Sequence, residues 1–364
     1  MVELYAGVAR TWEAFRSWKR CKLGALVDND QFAIDAYKHN FPMAPYFRRN
    51  LRWLTPDELL KLVGGRVHIL LGCPPCQGFS DTGRRDESDP RNDHISIYGR
   101  FVEALRPVAV VMENVPLMAK SPLFARFMRR LDNCGYDYVA AIVNAAQFGS
   151  CQTRQRLVVI AIHENVGEEP VIDSPTHGGN GRYFSYQRGL MVGVRDYVDE
   201  LLGITPATFR VQSMVDTSKT LGQRDIPTVQ DVLRGLPEIT SRQAKELRHV
   251  AWPSSEEMIA RMSRVPEGSR WEGGKDHFSH SYGRLHRLGL SRTITTYFSN
   301  PGSGRFWHPT GERPITVREA ARIQGFDDSF KFCGPLSNCS RLIGNALDSA
   351  IASVARRAVE RCLG

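Results

Sequence analysis

A chain of 364 residues, 42% hydrophobic and 24% charged, has an ordinary globular composition and is long enough for one large or two average domains. No apolar run approaches the roughly 18 residues that a membrane-spanning helix needs, and nothing near Met1 resembles a secretory leader. The eight cysteines follow no disulfide framework, so reduced thiols and a cytoplasmic setting are expected, nucleoid-associated if the source is bacterial. Lysine and arginine outnumber aspartate and glutamate, 48 to 39, and the formal charge of +9 favours a polyanionic partner.

In chain order, residues 2–6, 25–27, 67–71, 108–112 and 157–162 read as buried strands with helix-length segments between them. That rhythm predicts an α/β fold, a doubly wound and mostly parallel sheet with helices on both faces. Such sheets bind ligands beyond the carboxyl ends of their strands, where Tyr5, Ala6, Gly7, Asp28, Cys76 and Glu113 fall. From about residue 164 the texture turns to Gly, Pro, Ser, His and Arg, which predicts a smaller, irregular domain. Regular structure returns at Thr316, which precedes Glu319 by three residues as a helix-starting capping box does. Residues 346–363 read as an amphipathic helix that packs back on the first domain. The expected division is 1–176, 177–312 and a return segment, 313–364.

The most informative stretch is Gly72-Cys73-Pro74-Pro75-Cys76-Gln77-Gly78-Phe79-Ser80. It places a thiol on a proline-stiffened turn just past a buried strand, where an α/β enzyme would hold a nucleophile. Three other readings compete. A zinc site needs four ligands, and Cys333 with Cys339 has the wrong spacing for a ribbon partner. A redox Cys-x-x-Cys pair belongs at a helix start, whereas here a long polar segment follows. A merely structural cysteine sits poorly between Pro-Pro and Gln-Gly. No metal is expected. Arginines also cluster in apparent loops, Arg84, Arg85 and Arg91 after the cysteine and Arg284, Arg287 and Arg292 later, and each cluster is equally readable as a solvated face.

Three further motifs follow in order: Met112-Glu113-Asn114-Val115, Gln152-Thr153-Arg154-Gln155-Arg156 and Gly344-Asn345-Ala346. With the Pro-Cys-Gln stretch and the segment from Arg313 to Phe326, they closely resemble the C5-cytosine DNA methyltransferases, over about residues 2 to 350. The resemblance implies a Rossmann-like, S-adenosylmethionine-dependent methyltransferase that acts as a monomer on double-stranded DNA. It also implies that the Cys76 thiolate adds to carbon 6 of a flipped-out cytosine and so activates carbon 5. Glu113 resembles the partner of ring nitrogen N3. Arg156 resembles the residue at O2, while Arg154 and Gln152 organise the site. Gln77, Ser80, Arg84 and Arg85 belong to a segment expected to close over DNA, and Gln152, Arg284 and Arg287 are further expected DNA contacts.

For S-adenosylmethionine, the resemblance implies a pocket of Tyr5, Ala6, Gly7, Asp28, Asn29, Asn50, Pro75, Asn345 and Ala346. The chain departs from the family pattern there. Family members carry Phe where Tyr5 stands, further glycines where Ala9 and Arg10 stand, and often Asp at the Asn50 position; these changes bear on cofactor affinity rather than fold. Residues 177–312 fill the slot of the family's target-recognition domain, in which a few side chains such as Arg270, Lys275 or Thr293 would read base edges. A tRNA methyltransferase on the same scaffold is disfavoured because its Cys-Phe-Thr triplet is absent. An inactive DNA-binding relative is disfavoured by the intact Cys76, Glu113, Arg154 and Arg156.

Overall fold

The computed structural model describes residues 1–75, 93–177, 224–272 and 281–364. Strands β1 (Val2–Leu4), β2 (Ala25–Asp28), β3 (Tyr46–Arg48), β4 (Ile69–Gly72), β5 (Ala109–Asn114), β6 (Tyr136–Asn144) and β8 (Gln155–His163) form one sheet in the order β3-β2-β1-β4-β5-β8-β6. The two-residue β7 (Gln152–Thr153) lies outside it and pairs in parallel with β9 (Ser291–Arg292). From β3 to β5 every pairing is parallel. β8, however, runs antiparallel to both β5 and β6. The sheet is thus mostly parallel, as expected, and the reversal of β8 brings its start to the same edge as the end of β5.

Helices cover both faces. On one face, Val2, Leu4, Val27, Leu70 and Met112 pack under α3 (Pro56–Val63), α4 (His94–Leu105) and α5 (Pro122–Asn133) through Leu59, Tyr98, Phe101, Phe124 and Met128. On the other, Ile69, Leu71, Val111 and Ile160 meet Phe15 at the end of α1 (Arg10–Phe15) together with Ile351, Ala355 and Val359 of the helix Ser349–Leu363. That helix is the expected return to the first domain. Successive residues of β4 therefore serve opposite cores, the side-chain alternation of a strand buried on both sides. Residues 281–364 contribute a contiguous aromatic cluster in which Phe326 packs 4.9 Å from Phe330 and 5.1 Å from Phe332, centroid to centroid. The helix Val317–Ile323 opens on the expected capping box of Thr316 and Glu319. No helix of the described residues is long and apolar enough to cross a membrane.

β1 stops at Leu4 because the backbone turns left-handed at Tyr5 (φ 57°), and again at Gly7 (φ 50°) and Ala9 (φ 58°). Only glycine adopts that region without strain, so Tyr5 and Ala9 each hold a conformation that costs about 1 kcal/mol. α1 then begins with no side-chain cap of its own. Glu3, buried within β1, takes over that task by accepting from the Trp12 N–H at 3.0 Å. Burial nevertheless outweighs this bond and those from Thr11, and pushes the Glu3 carboxyl up to about 8.

A carboxyl whose pKa is higher folded than unfolded favours folding fully below its ordinary value of 4.5, and that benefit is lost as the pH rises to about 8. Glu3→Gln should therefore gain stability relative to the parent across this window, by on the order of 1–3 kcal/mol at the alkaline end. Denaturant melts from pH 5 to 9 check it; two curves that stay parallel would refute the assignment.

Candidate active site

The chemistry-bearing residues gather where β1, β4 and β5 end and β8 begins. β4 ends at Gly72, where any Cβ would run into the ring of Tyr98 from α4. Tyr98 is fixed in turn by donating to the Leu70 and Val111 carbonyls at 3.0 and 2.9 Å. Glycine is thus required for β4 to pass beneath α4 and lead into Cys73-Pro74-Pro75. Asn114, buried at the end of β5, donates to the Pro74 carbonyl at 3.1 Å and holds this proline turn against the sheet. Cys76, Gln77, Ser80, Arg84 and Arg85 lie outside the described residues, as does Lys275.

One residue before Asn114, within β5 rather than past it, Glu113 receives the Arg156 Nε at 2.7 Å. Both side chains are largely but not wholly covered, 12% and 14% exposed. The antiparallel register makes the contact, because Glu113 stands opposite Val158 on β8, two residues from Arg156. Cys73 lies beside them. Its burial, then the Glu113 charge, push its thiol well above the usual range and leave it a poor nucleophile.

Arg154 is buried, with 1% exposure. Its NH1 donates to the Ile294 carbonyl at 3.1 Å, and its NH2 to the Gly344 and Ala346 carbonyls, each at 3.0 Å. Burial, followed by the nearby Arg156 charge, pulls its pKa down to about 9. Arg154 therefore ties the start of β8 to the backbone at Ile294, Gly344 and Ala346. Gln152 is completely buried, which corrects its assignment to DNA: its Nε2 donates to Gln324 Oε1 and Asp348 Oδ2, both at 2.7 Å, and its Oε1 accepts from the Ile294 N–H at 3.1 Å. Asp348 also accepts from the Ser150 hydroxyl at 2.7 Å and caps the helix Ser349–Leu363. Sequence reading missed Asp348 because an aspartate before a helix looks like a plain N-cap.

Arg284 is corrected as well. It is 5% exposed and spends its donors on the Val265, Met262 and His308 carbonyls at 2.9, 2.7 and 3.1 Å, so it ties loops together. Arg287 is exposed, and its Nε sits 3.5 Å from Glu267.

On the expected cofactor side, Asp28 closes β2 and accepts from the Gly7 N–H at 2.8 Å and from the Asn29 and Asp30 N–H groups at 2.7 and 2.9 Å. Tyr5, Ala6, Gly7 and Asp28 thus form one turn cluster; Asn29 follows it exposed, Asn50 is exposed next to Arg49, whose N–H donates to the Asp28 carbonyl at 2.9 Å, and Pro75 is half-buried at the end of the proline turn. Space is open where a Gly7 Cβ would stand, as a backbone cradle for a ligand requires. Asn345 is exposed beside the buried Ala346. The Tyr5 hydroxyl lies 3.1 Å from the His94 ring nitrogen, so the tyrosine that replaces the family's phenylalanine reaches the start of α4.

Residues 1–361 match the family model for C-5 cytosine-specific DNA methylases. The chain belongs to that family. This methylase is 27% identical over 354 residues to the type II methylase M.HgiDII of Herpetosiphon aurantiacus, an alignment covering 93% of this chain and 89% of that protein. Among solved structures, it matches a prophage-encoded chain of E. coli assigned as a DNA modification methyltransferase, at a TM-score of 0.70 and 21% identity, over 100% of this chain and 98% of that one. DNMT2 of Spodoptera frugiperda matches at 0.63 and 19% identity, over 100% and 99%. At these identities the structural matches speak for the fold alone. They agree with a Rossmann-like methyltransferase sheet, and the family makes the chain a DNA cytosine-5 methyltransferase.

Proposed function

We propose that this methylase modifies carbon 5 of a cytosine rotated out of double-stranded DNA, through a covalent bond from Cys76 to carbon 6. The observation that carries the proposal is the Glu113–Arg156 pair, 2.7 Å apart and partly exposed, beside Cys73 of the proline turn that leads to Cys76. Thiolate addition drives electrons toward N3 and O2 of the ring. A carboxyl group at N3 and a guanidinium near O2 answer that charge where it develops. Arg156 fixes the orientation of Glu113, and Asn114 fixes the backbone that presents the thiol. Arg154 acts one layer below, on the loops that complete the cleft.

S-adenosylmethionine, when bound, supplies the methyl group. Tyr5, Ala6, Gly7, Asp28, Asn29 and Asn50 would hold it on one side and Pro75, Asn345 and Ala346 on the other. The open space at Gly7 and the acceptor Asp28 fit a nucleoside that carries an amino acid through its sulfur. Residues 177–312 are the proposed target-recognition region, with Arg287 and the arginines after Cys76 facing DNA. Gln152 and Arg284 leave that set because both are buried.

The deciding experiment is bisulfite sequencing of DNA from cells that express the protein, beside cells that express Glu113→Gln. Protected cytosines in one short sequence context, reduced at least about tenfold in the variant, are expected. Unprotected DNA from the parent chain would refute the proposal.

A further inference from the structure

Arg10 stands where the family carries a glycine, yet its side chain is not directed to solvent. It is 4% exposed, and its guanidinium pairs with Glu13, donates through NH2 to the Gly325 carbonyl at 2.7 Å and lies 4.0 Å above the Phe326 ring. Its Nε is buried without a hydrogen-bond partner. A charged group that gives up hydration and leaves one donor unpaired is costly to bury, so the contacts it does make have to matter.

Those contacts span the proposed cofactor cleft. Arg10 follows directly on the left-handed Ala9, and the Ala9 N–H donates to the Ala6 carbonyl at 2.7 Å, so its anchor is the Tyr5–Gly7 turn. At the other end, Gln324, next to Gly325, donates to the Ala346 carbonyl at 2.5 Å. One buried guanidinium therefore joins the wall built from residues 5–28 to the wall that carries Asn345 and Ala346.

We propose that Arg10 is a positioning residue of the cofactor cleft, which sets the separation of its two walls and holds the strained Tyr5–Ala9 turn in the conformation that receives the methyl donor. The proposal rests on the cofactor reading above. A glycine here would remove the one fully buried side-chain cation among the described links between the walls, leaving the partly exposed Arg341–Asp30 pair and the Asn40–Lys331 hydrogen bonds to hold them. With alanine at position 9 already in a conformation that glycine favours, the clamp replaces intrinsic backbone preference with a tertiary contact.

The test is calorimetric titration of S-adenosylhomocysteine into the full chain, with DNA affinity measured in its absence. Arg10→Gly should weaken S-adenosylhomocysteine at least tenfold and raise the KM for the methyl donor with kcat changed less than threefold. DNA affinity should stay within twofold. Arg10→Lys, which keeps a cation over Phe326 and one donor for Gly325, should recover most of the loss. Should Arg10→Gly fail to fold, Phe326→Leu, which removes the ring beneath the guanidinium, should weaken the same ligand three- to tenfold. S-adenosylhomocysteine affinity within twofold of the parent, or an equal loss of DNA affinity, overturns the proposal. A parent chain that does not bind S-adenosylhomocysteine at all defeats the cofactor reading instead.

Discussion

Cys76→Ala is expected to lower methyl transfer by at least about 10⁴-fold, because Cys76 is the proposed nucleophile and removal of a covalent nucleophile costs rates of this order. Cys73, three residues earlier, does not substitute: its thiol is held protonated by burial and by the neighbouring Glu113. DNA affinity should change little, since the substitution removes a single sulfur while affinity comes chiefly from phosphate contacts. The check is a tritium-transfer assay beside a gel-shift titration at fixed salt. DNA with 5-fluorocytosine at the target adds a second readout. Fluorine cannot leave as a cation, so the parent should remain covalently attached in denaturing gels and the variant should not. A variant that still methylates refutes the mechanism.

The second large effect is on stability. Arg154→Met is expected to destabilise the fold by about 3–5 kcal/mol, a large share of the 5–15 kcal/mol that holds a typical domain together. Methionine fills much of the volume, but the Ile294 and Gly344 carbonyls lose the guanidinium donor in a buried site, and the Ala346 carbonyl is left with Gln324 alone. Arg154→Lys keeps the charge but cannot serve three carbonyls in the same fork, so it should fall between. Urea denaturation monitored by tryptophan fluorescence measures both; a loss below about 1 kcal/mol for methionine would mean that the carbonyls find other donors.

Strands built from Val, Ile and Leu were legible as continuous apolar runs. β6 was not, although all of it but Asp137 is buried, because Ala140 and Ala141 dilute its strand preference and only its neighbours on the sheet make it extended. β3 is too short to show a period. The reversal of β8 was hidden for a different reason: hydrophobicity reports burial, not direction, and the Glu113–Arg156 contact depends on that direction. Glu113 and Arg156 were found through resemblance, and the geometry then supplied a physical reason for their pairing.

Arginine was the residue type least readable from sequence. Arg284 bonds carbonyls and Arg287 meets a glutamate at the surface, yet one lies buried under a loop and the other is exposed three positions later. Nothing in their local sequence separates the two environments, because a guanidinium serves phosphate, carboxylate and carbonyl oxygens through the same donors. Arg10 carried one usable signal: a bulky side chain where a backbone loop favours glycine calls for a partner elsewhere in the chain.

The helix Ser349–Leu363 covers a sheet face whose strands are complete by His163. A ribosome therefore releases the strands long before their lid is translated, and Ile69, Leu71, Val111 and Ile160 spend that interval wet and adhesive. Folding of such a chain is governed by contacts distant in sequence, which makes it slow and places expression yield at the mercy of temperature and holdase chaperones.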